Sequence, residues 1–247
     1  MKIFSFKISK RSRIKTIATN GIIFGMLATV FAFSYAGGTL QAFNSKSGVE
    51  AIYHGDQNSN NVSLMVNVYW GDEFIQPMLD VFAKYDAKTT FFVGGTWASK
   101  NEEMLKTMAL GGHELANHGY YHKDQDKISA DENYNEINQT HQIVKALTGV
   151  EMTLFAPPSG AFSDTTLNVA YSLGYKTIMW TRDTIDWRDK DKNLIYNRAV
   201  KDAKGGDLVL MHPTEKTLAA LEEIIKTLQE KGLNVTTVSQ TLGITNN

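Results

Sequence analysis

Six histidines occur among 247 residues, and three of them stand where they could do chemistry. His118 and His122 lie in the segment GHELANHGYYH. Four residues apart, on one helical turn or across a tight loop, two imidazoles can grip one metal ion. The same spacing also arises by chance on exposed helices, so the pair gains meaning only from its company. His212 ends the apolar run LVLMH, where a strand would deliver a group titrating near neutrality, suited to general acid or base work. In RDTIDW, Asp183 and Asp186 flank Thr184 and Ile185 and lead to Trp187. Carboxylates beside a large ring at a strand end suit metal binding, orientation of a base and sugar stacking. The charges that follow, Arg188, Asp189 and Lys190, fit a solvated loop equally well. FAPPSGAF, Phe155–Phe162, holds Pro157, Pro158 and Gly160; it is a rigid turn, or the wall of a substrate site.

The elements that must position these groups follow from periodicity. Apolar, β-rich runs recur at Val62–Val68, Thr89–Val93, Thr153–Phe155, Thr177–Trp180, Leu208–Met211 and Val235–Val238. Between them, Phe74, Met78, Val81, Phe82 and Tyr85 share one helical face, as do Leu218, Leu221, Ile225 and Leu228. Ser129 with Glu132 opens a capping box for a helix running to Thr148, which Gly149 ends. Strands alternating with helices imply βαβ units and a parallel sheet, with chemistry at the C-terminal ends of the strands.

Composition narrows the function classes. The chain lacks cysteine, which removes disulfides, thiolate metal sites and thiol nucleophiles. Residues 1–50 carry seven Lys or Arg against Glu50 alone, leaving 18 basic and 25 acidic residues beyond them. An acidic body argues against sequence-independent nucleic-acid binding. The basic N-terminus leads into the apolar stretch GIIFGMLATVFAFSYA, Gly21–Ala36. That order predicts a signal peptide or signal anchor over 1–36, with cleavage expected after Ala36; a buried core helix is the alternative. Residues 37–60 read as a linker and 61–247 as the exported domain.

Taken in order, these segments resemble the polysaccharide deacetylases of carbohydrate esterase family 4, the NodB-homology domain, in the branch associated with sporulation. HGYYH is similar to the family's H-S/T-x-x-H motif, APPSG to R-x-P-x-G, DTIDW to D-x-x-D-W and LMH to L-x-H; KTTFFVGG and GLNVTTVSQTLG add to the likeness, which runs from Asn61 to Leu242. The resemblance implies a distorted (β/α) barrel of about seven strands. It implies removal of N-acetyl groups from amino sugars of peptidoglycan or chitin-like polymers, by an exported hydrolase of amide C–N bonds. It also implies a divalent metal, zinc being the expected ion, held by His118 and His122. His212 would be the general acid, Asp183 would orient or tune His212, and Trp187, Leu210 and Pro158 would shape the substrate site. The partner would be cell-wall polysaccharide, outside a Gram-positive cell, with the membrane met only through the N-terminal segment and the chain a monomer.

The first motif departs from the family. Where the family has T-F-D-D-G, or T-F-D-x-S-W-G in this branch, the chain has MVNVYWG, Met65–Gly71. Asn67 therefore stands at the position of the base, Val68 at that of a metal carboxylate, and Ala156 at that of the loop arginine. Asp72, Glu73 and Asp183 are the candidate substitute bases, Arg182 is the candidate charge for the loop, and Asn67 could itself coordinate weakly through its carbonyl oxygen. The leading expectation is a metal-assisted deacetylase weakened by these changes; the rival is an inactive relative that binds wall polysaccharide.

Overall fold

The computed structural model describes residues 48–244; the expected signal segment lies outside the described residues. Eight strands form one sheet: β1 (Asn61–Val68), β2 (Thr90–Val93), β3 (Glu114–Asn117), β4 (Leu154–Phe155), β5 (Lys176–Thr177), β6 (Arg182–Asp183), β7 (Leu208–Met211) and β8 (Asn234–Val235). Seven run in the order β5-β4-β3-β2-β1-β7-β6, and β8 pairs with the first residues of β1. Every pairing is parallel. Parallel strands need crossovers, supplied by α1 (Asp72–Lys84), α2 (Gly95–Ala98), α3 (Glu102–Leu110), α4 (Ala130–Thr148), α5 (Asp164–Ser172), α6 (Lys192–Val200) and α7 (Glu215–Glu230). The short α8 (Val238–Thr241) follows β8. Among the described residues no helix is long and apolar enough to cross a membrane.

Both faces of the sheet are buried, as parallel sheets require. Leu64, Val66 and Val68 of β1 join Ile75 and Phe82 of α1 and Leu221 and Ile225 of α7 in the layer between sheet and helices. The alternate residue Met65 meets Phe92, Ala116, Leu154, Ala156, Ile178 and Leu208 in a second cluster, contributed mainly by the strands. The sheet thus curls into a half-barrel around an inner core of its own. Asn67 continues the inward row of Met65 by the period of two.

Ser129 and Glu132 form the expected capping box, and Gly149 ends α4 in the left-handed region. β3 and β6 carry no apolar alternation that sequence reading could detect; they are short and bear Glu114, Asn117, Arg182 and Asp183. The run expected as a strand over Val235–Val238 stops after Val235, because Thr237 caps α8 in a box with Gln240. The last residues of the expected linker are fastened to the domain. Ile52 bridges to Ile178, and the backbones of Gly55 and Asp56 donate to the carbonyls of Gly206 and Thr241.

Candidate functional site

A pocket of about 290 Å³ opens at the C-terminal ends of the strands. One wall carries Asn67 and Tyr69 from the end of β1 with His118 and His122 beyond β3. The opposite wall carries Asp183, Trp187, Leu210 and His212 from β6 and β7. Ser159, Gly160 and Trp180 complete it. Gly160 is required there: its φ is +67°, and a Cβ would stand 2.8 Å from the Trp180 ring. Pro158 is buried behind the pocket rather than lining it, its Cγ 3.4 Å from where a Cβ on Gly119 would lie. It backs the histidine loop.

The histidines face one another across a tight loop. Gly119 and His122 both take positive φ, +74° and +57°, so the segment turns instead of continuing as a helix. Asn117 Oδ1 accepts the Gly119 N–H at 2.9 Å, and Glu136 Oε2 accepts those of Tyr120 and Tyr121, each at 2.8 Å. The two imidazoles stand 5.0 Å apart, centre to centre. Tyr69 stacks on His122 at 3.7 Å. His118 Nδ1–H donates to the Ala156 carbonyl at 2.8 Å, which leaves the Nε2 lone pair free. Burial, reinforced by the charge that His122 would carry, pushes His118 down to about 3. Burial also lowers His122.

The opposite wall is wired differently. Asp186, buried among polar partners, binds His212 twice: Oδ2 accepts the backbone N–H at 2.6 Å and Oδ1 accepts Nδ1–H at 2.8 Å. Thr217 Oγ1 donates to the same Oδ2 at 2.5 Å. The imidazole is thereby fixed with Nε2 as its free nitrogen, and the Trp70 ring lies parallel to it at 6.2 Å. Asp186, not Asp183, orients His212. Asp183 Oδ1 accepts the Ile185 N–H at 2.8 Å, and the left-handed turn at Ile185, φ +53°, lets the chain carry Asp186 towards His212. Asp183 keeps its place in the pocket wall.

Of the candidate substitutes only Asp183 stands in the pocket, on the wall of His212, with its Oδ1 accepting the Ile185 N–H. Asp72 Oδ1 accepts Trp97 Nε1–H at 2.5 Å, and Asp72 and Glu73 line a separate cleft with Trp97 and Lys100. Arg182 pairs with Asp207 at 2.7 Å and lines another cleft with Arg198 and Lys201. Val68 is fully buried in the layer facing the helices, and Ala156 in the inner core. What remains is Asn67, 4% exposed, whose Oδ1 is buried without a hydrogen-bond partner.

This donor set does not fit a catalytic divalent metal. Such a centre takes three protein ligands, commonly with a carboxylate. Here two neutral imidazoles and one carboxamide converge, and among the described residues no three His, Cys, Asp or Glu side chains are grouped to hold an ion.

Fold and site together define a parallel α/β half-barrel with a histidine-lined pocket at its strand ends. The chain belongs to the polysaccharide deacetylase family, whose model, described as "Polysaccharide deacetylase", matches residues 54–178. It is 35% identical over 191 residues to the uncharacterized protein YlxY of Bacillus subtilis, covering 77% of this chain and 60% of that one. It is 29% identical over 188 residues to the peptidoglycan-N-acetylmuramic acid deacetylase PdaA of the same organism, covering 74% and 72%. Among solved structures it resembles BA3943 of Bacillus anthracis, described as a CE4 family pseudoenzyme. The TM-score is 0.77 and the identity 35%, over 79% of this chain and 70% of that one. A mutant of BA3943 is described as having restored enzymatic activity. Deacetylases of this family are metal-dependent in general.

Proposed function

We propose that this chain is an exported member of the deacetylase family that binds N-acetylated cell-wall polysaccharide in its pocket without hydrolysing it. One observation carries the reading: the end of β1 brings Asn67 and Tyr69 to the pocket, and neither is a carboxylate. Amide hydrolysis needs a group that takes a proton from water, and general-base assistance is worth ~10²–10⁴-fold in rate. A carboxamide cannot accept that proton near pH 7. Asp72 and Glu73 belong to another cleft, and Asp183, the carboxylate that lines this one, stands on the wall of His212 with its Oδ1 taken by the Ile185 N–H.

The pocket nonetheless suits an acetylated amino sugar. Leu210 and Trp180 offer apolar surface to a methyl group, the exposed Trp187 offers a face to a sugar ring, and Asn67 and His212 offer hydrogen bonds to an amide. The basic, then apolar N-terminus supports export, with the membrane met only through that segment, and the domain works as a monomer on the wall outside the cell.

A second reading, slow deacetylation, draws on His212. Its bonds to Asp186 and the support from Thr217 hold Nε2 ready to protonate a leaving amine. Binding of N-acetylated peptidoglycan fragments and acetate release, measured on the same preparation, separate the two. Binding without acetate is expected. Acetate release at rates ordinary for an enzyme overturns the binding reading, and absence of binding to any acetylated wall glycan overturns both.

A further inference from the structure

A chain of hydrogen bonds runs from the surface to the histidine loop through residues that do not line the pocket. Glu151, just beyond α4, lies 3.0 Å from His141 Nε2. His141 Nδ1 lies 2.6 Å from the Tyr175 hydroxyl, and that oxygen lies 3.3 Å from Asn117 Nδ2. Asn117 ends β3, and its Oδ1 accepts the Gly119 N–H at 2.9 Å. Asn117 and Tyr175 are both buried.

The donors and acceptors fix the direction of each bond. The Ile137 carbonyl and the Gly119 N–H, on opposite ends of the Asn117 amide, turn its NH₂ towards Tyr175. The phenol oxygen therefore accepts from Asn117, and its hydrogen goes to a bare His141 Nδ1. The imidazole hydrogen sits on Nε2 and donates to Glu151. Lys145, bonded to Glu151, holds its carboxyl below the usual range, so it stays an acceptor. Burial pushes the Tyr175 hydroxyl up to about 12, so it keeps its hydrogen. Glu151, Lys145 and Tyr175 are the titratable groups that face His141. In such a set only an imidazole ordinarily changes charge between pH 8 and pH 5. A second proton would land on Nδ1 and make it a donor. Two N–H groups would then meet at one phenol oxygen, and the phenol hydrogen would lose its acceptor in a buried place. Turning the Asn117 amide over would supply an acceptor, but would release both the Ile137 carbonyl and the Gly119 N–H.

We propose that His141 is a pH sensor for the site. Its protonation reverses the Tyr175 hydrogen bond, displaces the Asn117 amide and frees Gly119. The loop that carries His118 and His122 is thereby ordered at neutral pH and loosened in acid, from a position outside the pocket. The device is the same whether the pocket binds glycan or hydrolyses it.

The test is amide hydrogen exchange of Gly119 in the full chain, followed by NMR at pH 7.5 and pH 5.5. Rates are corrected for intrinsic exchange and set against the amide of Val66 in β1, which reports opening of the core. In the wild type, Gly119 protection should fall roughly tenfold relative to Val66, since one unmade buried hydrogen bond shifts an equilibrium by about that. His141→Gln keeps an acceptor for the Tyr175 hydroxyl and takes up no proton, so its Gly119 protection should change less than about twofold. Tyr175→Phe leaves His141 free to titrate but removes the hydroxyl that transmits the change, and should be equally insensitive to pH. A fall of the same size in all three proteins would come from the histidines of the pocket and overturns the proposal. No fall in the wild type also overturns it, as does a fall that survives Tyr175→Phe alone. Since no glycan is present, each of these outcomes leaves the glycan-binding reading standing.

Discussion

The two walls of the pocket are built to different standards. On the β7 wall, each polar atom that holds His212 has a named partner, and Asp186 accepts from His212 twice and from Thr217 once. On the β1 wall, the acceptor of Asn67 is unpaired. Where the motif resemblance expects a base, a metal carboxylate and an arginine, the chain has Asn67, Val68 and Ala156, all neutral. The contrast has a physical logic. Removing one member of a buried charged pair strands the other, at several kcal/mol, whereas removing all of them together strands nothing. The β1 wall is free of side-chain charge throughout, so the scaffold is not penalised for the loss. The β7 wall could not lose Asp186 alone without leaving two N–H groups of His212 unpaired and the Thr217 hydroxyl with Thr214 alone.

The comparison is therefore sharpest at Asp186. Asp186→Ala should cost about 3–5 kcal/mol of stability, the cost of breaking a buried paired group. Asn67→Leu should cost under about 1 kcal/mol or even stabilise, since it removes an unsatisfied acceptor. Urea unfolding of both variants measures the difference. Equal losses would mean that the β1 wall has a polar network after all.

Acid should strike the β1 wall next. Burial holds His118 at about 3, below its ordinary value of 6.5. The unfolded chain then binds a proton below pH 6.5 that the folded chain refuses until about pH 3, so stability falls as pH falls through that window. By pH 4 the loss from this one group is about 3 kcal/mol. His113, pushed down to about 4 by burial and then by Lys88, acts in the same direction from elsewhere in the fold. Melting temperatures from pH 7 to pH 4 should decline steeply for the wild type and less steeply for His118→Gln. A parallel decline in both would show that His118 already accepts protons when folded.

The third prediction tries to restore chemistry to the weak wall. Asn67→Asp puts a carboxylate at the position the resemblance gives to the base, beside two imidazoles, where its negative charge should also tighten the hold on a zinc ion. Zinc should then bind stoichiometrically to the variant by calorimetry, and acetate release from acetylated wall fragments should rise by roughly 10²-fold. Stoichiometric zinc in the wild type, unchanged by the substitution, would show that the β1 wall was competent from the start.

How far these walls could be read in advance depends on how local their geometry is. The parallel strands, α1, α7 and the capped α4 follow from periodicity and caps within short windows. Asn67 and Tyr69 of the first motif, the histidine pair, Leu210 and His212 are likewise fixed by spacing along single segments, and the structure gathers them around one pocket. The choice between Asp183 and Asp186 was not legible. It depends on a left-handed residue at Ile185 and on a hydroxyl from Thr217, 31 positions beyond Asp186. Nor was the diversion of Asp72, whose carboxylate is taken by Trp97 in α2, 25 positions along the chain. Tertiary partners decide such cases, and periodicity carries no trace of them.

The smallest expected effect compares one aromatic ring from each wall. Trp187 is 56% exposed, with Arg188 lying 5.8 Å over its ring, and among the described residues no aromatic ring stacks on it. Tyr69 is less exposed and is stacked on His122 at 3.7 Å. Trp187→Ala removes sugar-facing surface alone, so stability should stay within about 0.5 kcal/mol while glycan affinity falls about five- to tenfold. Tyr69→Ala removes a stacking partner as well as a pocket wall, and should lose about 1 kcal/mol of stability together with a similar part of the affinity. Unfolding and titration on the same two proteins give both numbers. If Trp187→Ala destabilises as much as Tyr69→Ala, the β7 wall owes its order to packing at the rim as well as to the hydrogen bonds of Asp186, and the contrast between the walls narrows. If Trp187→Ala leaves glycan affinity untouched, the polymer does not cross the β7 wall, and the acetamido group in the pocket must be presented from the side of Tyr69.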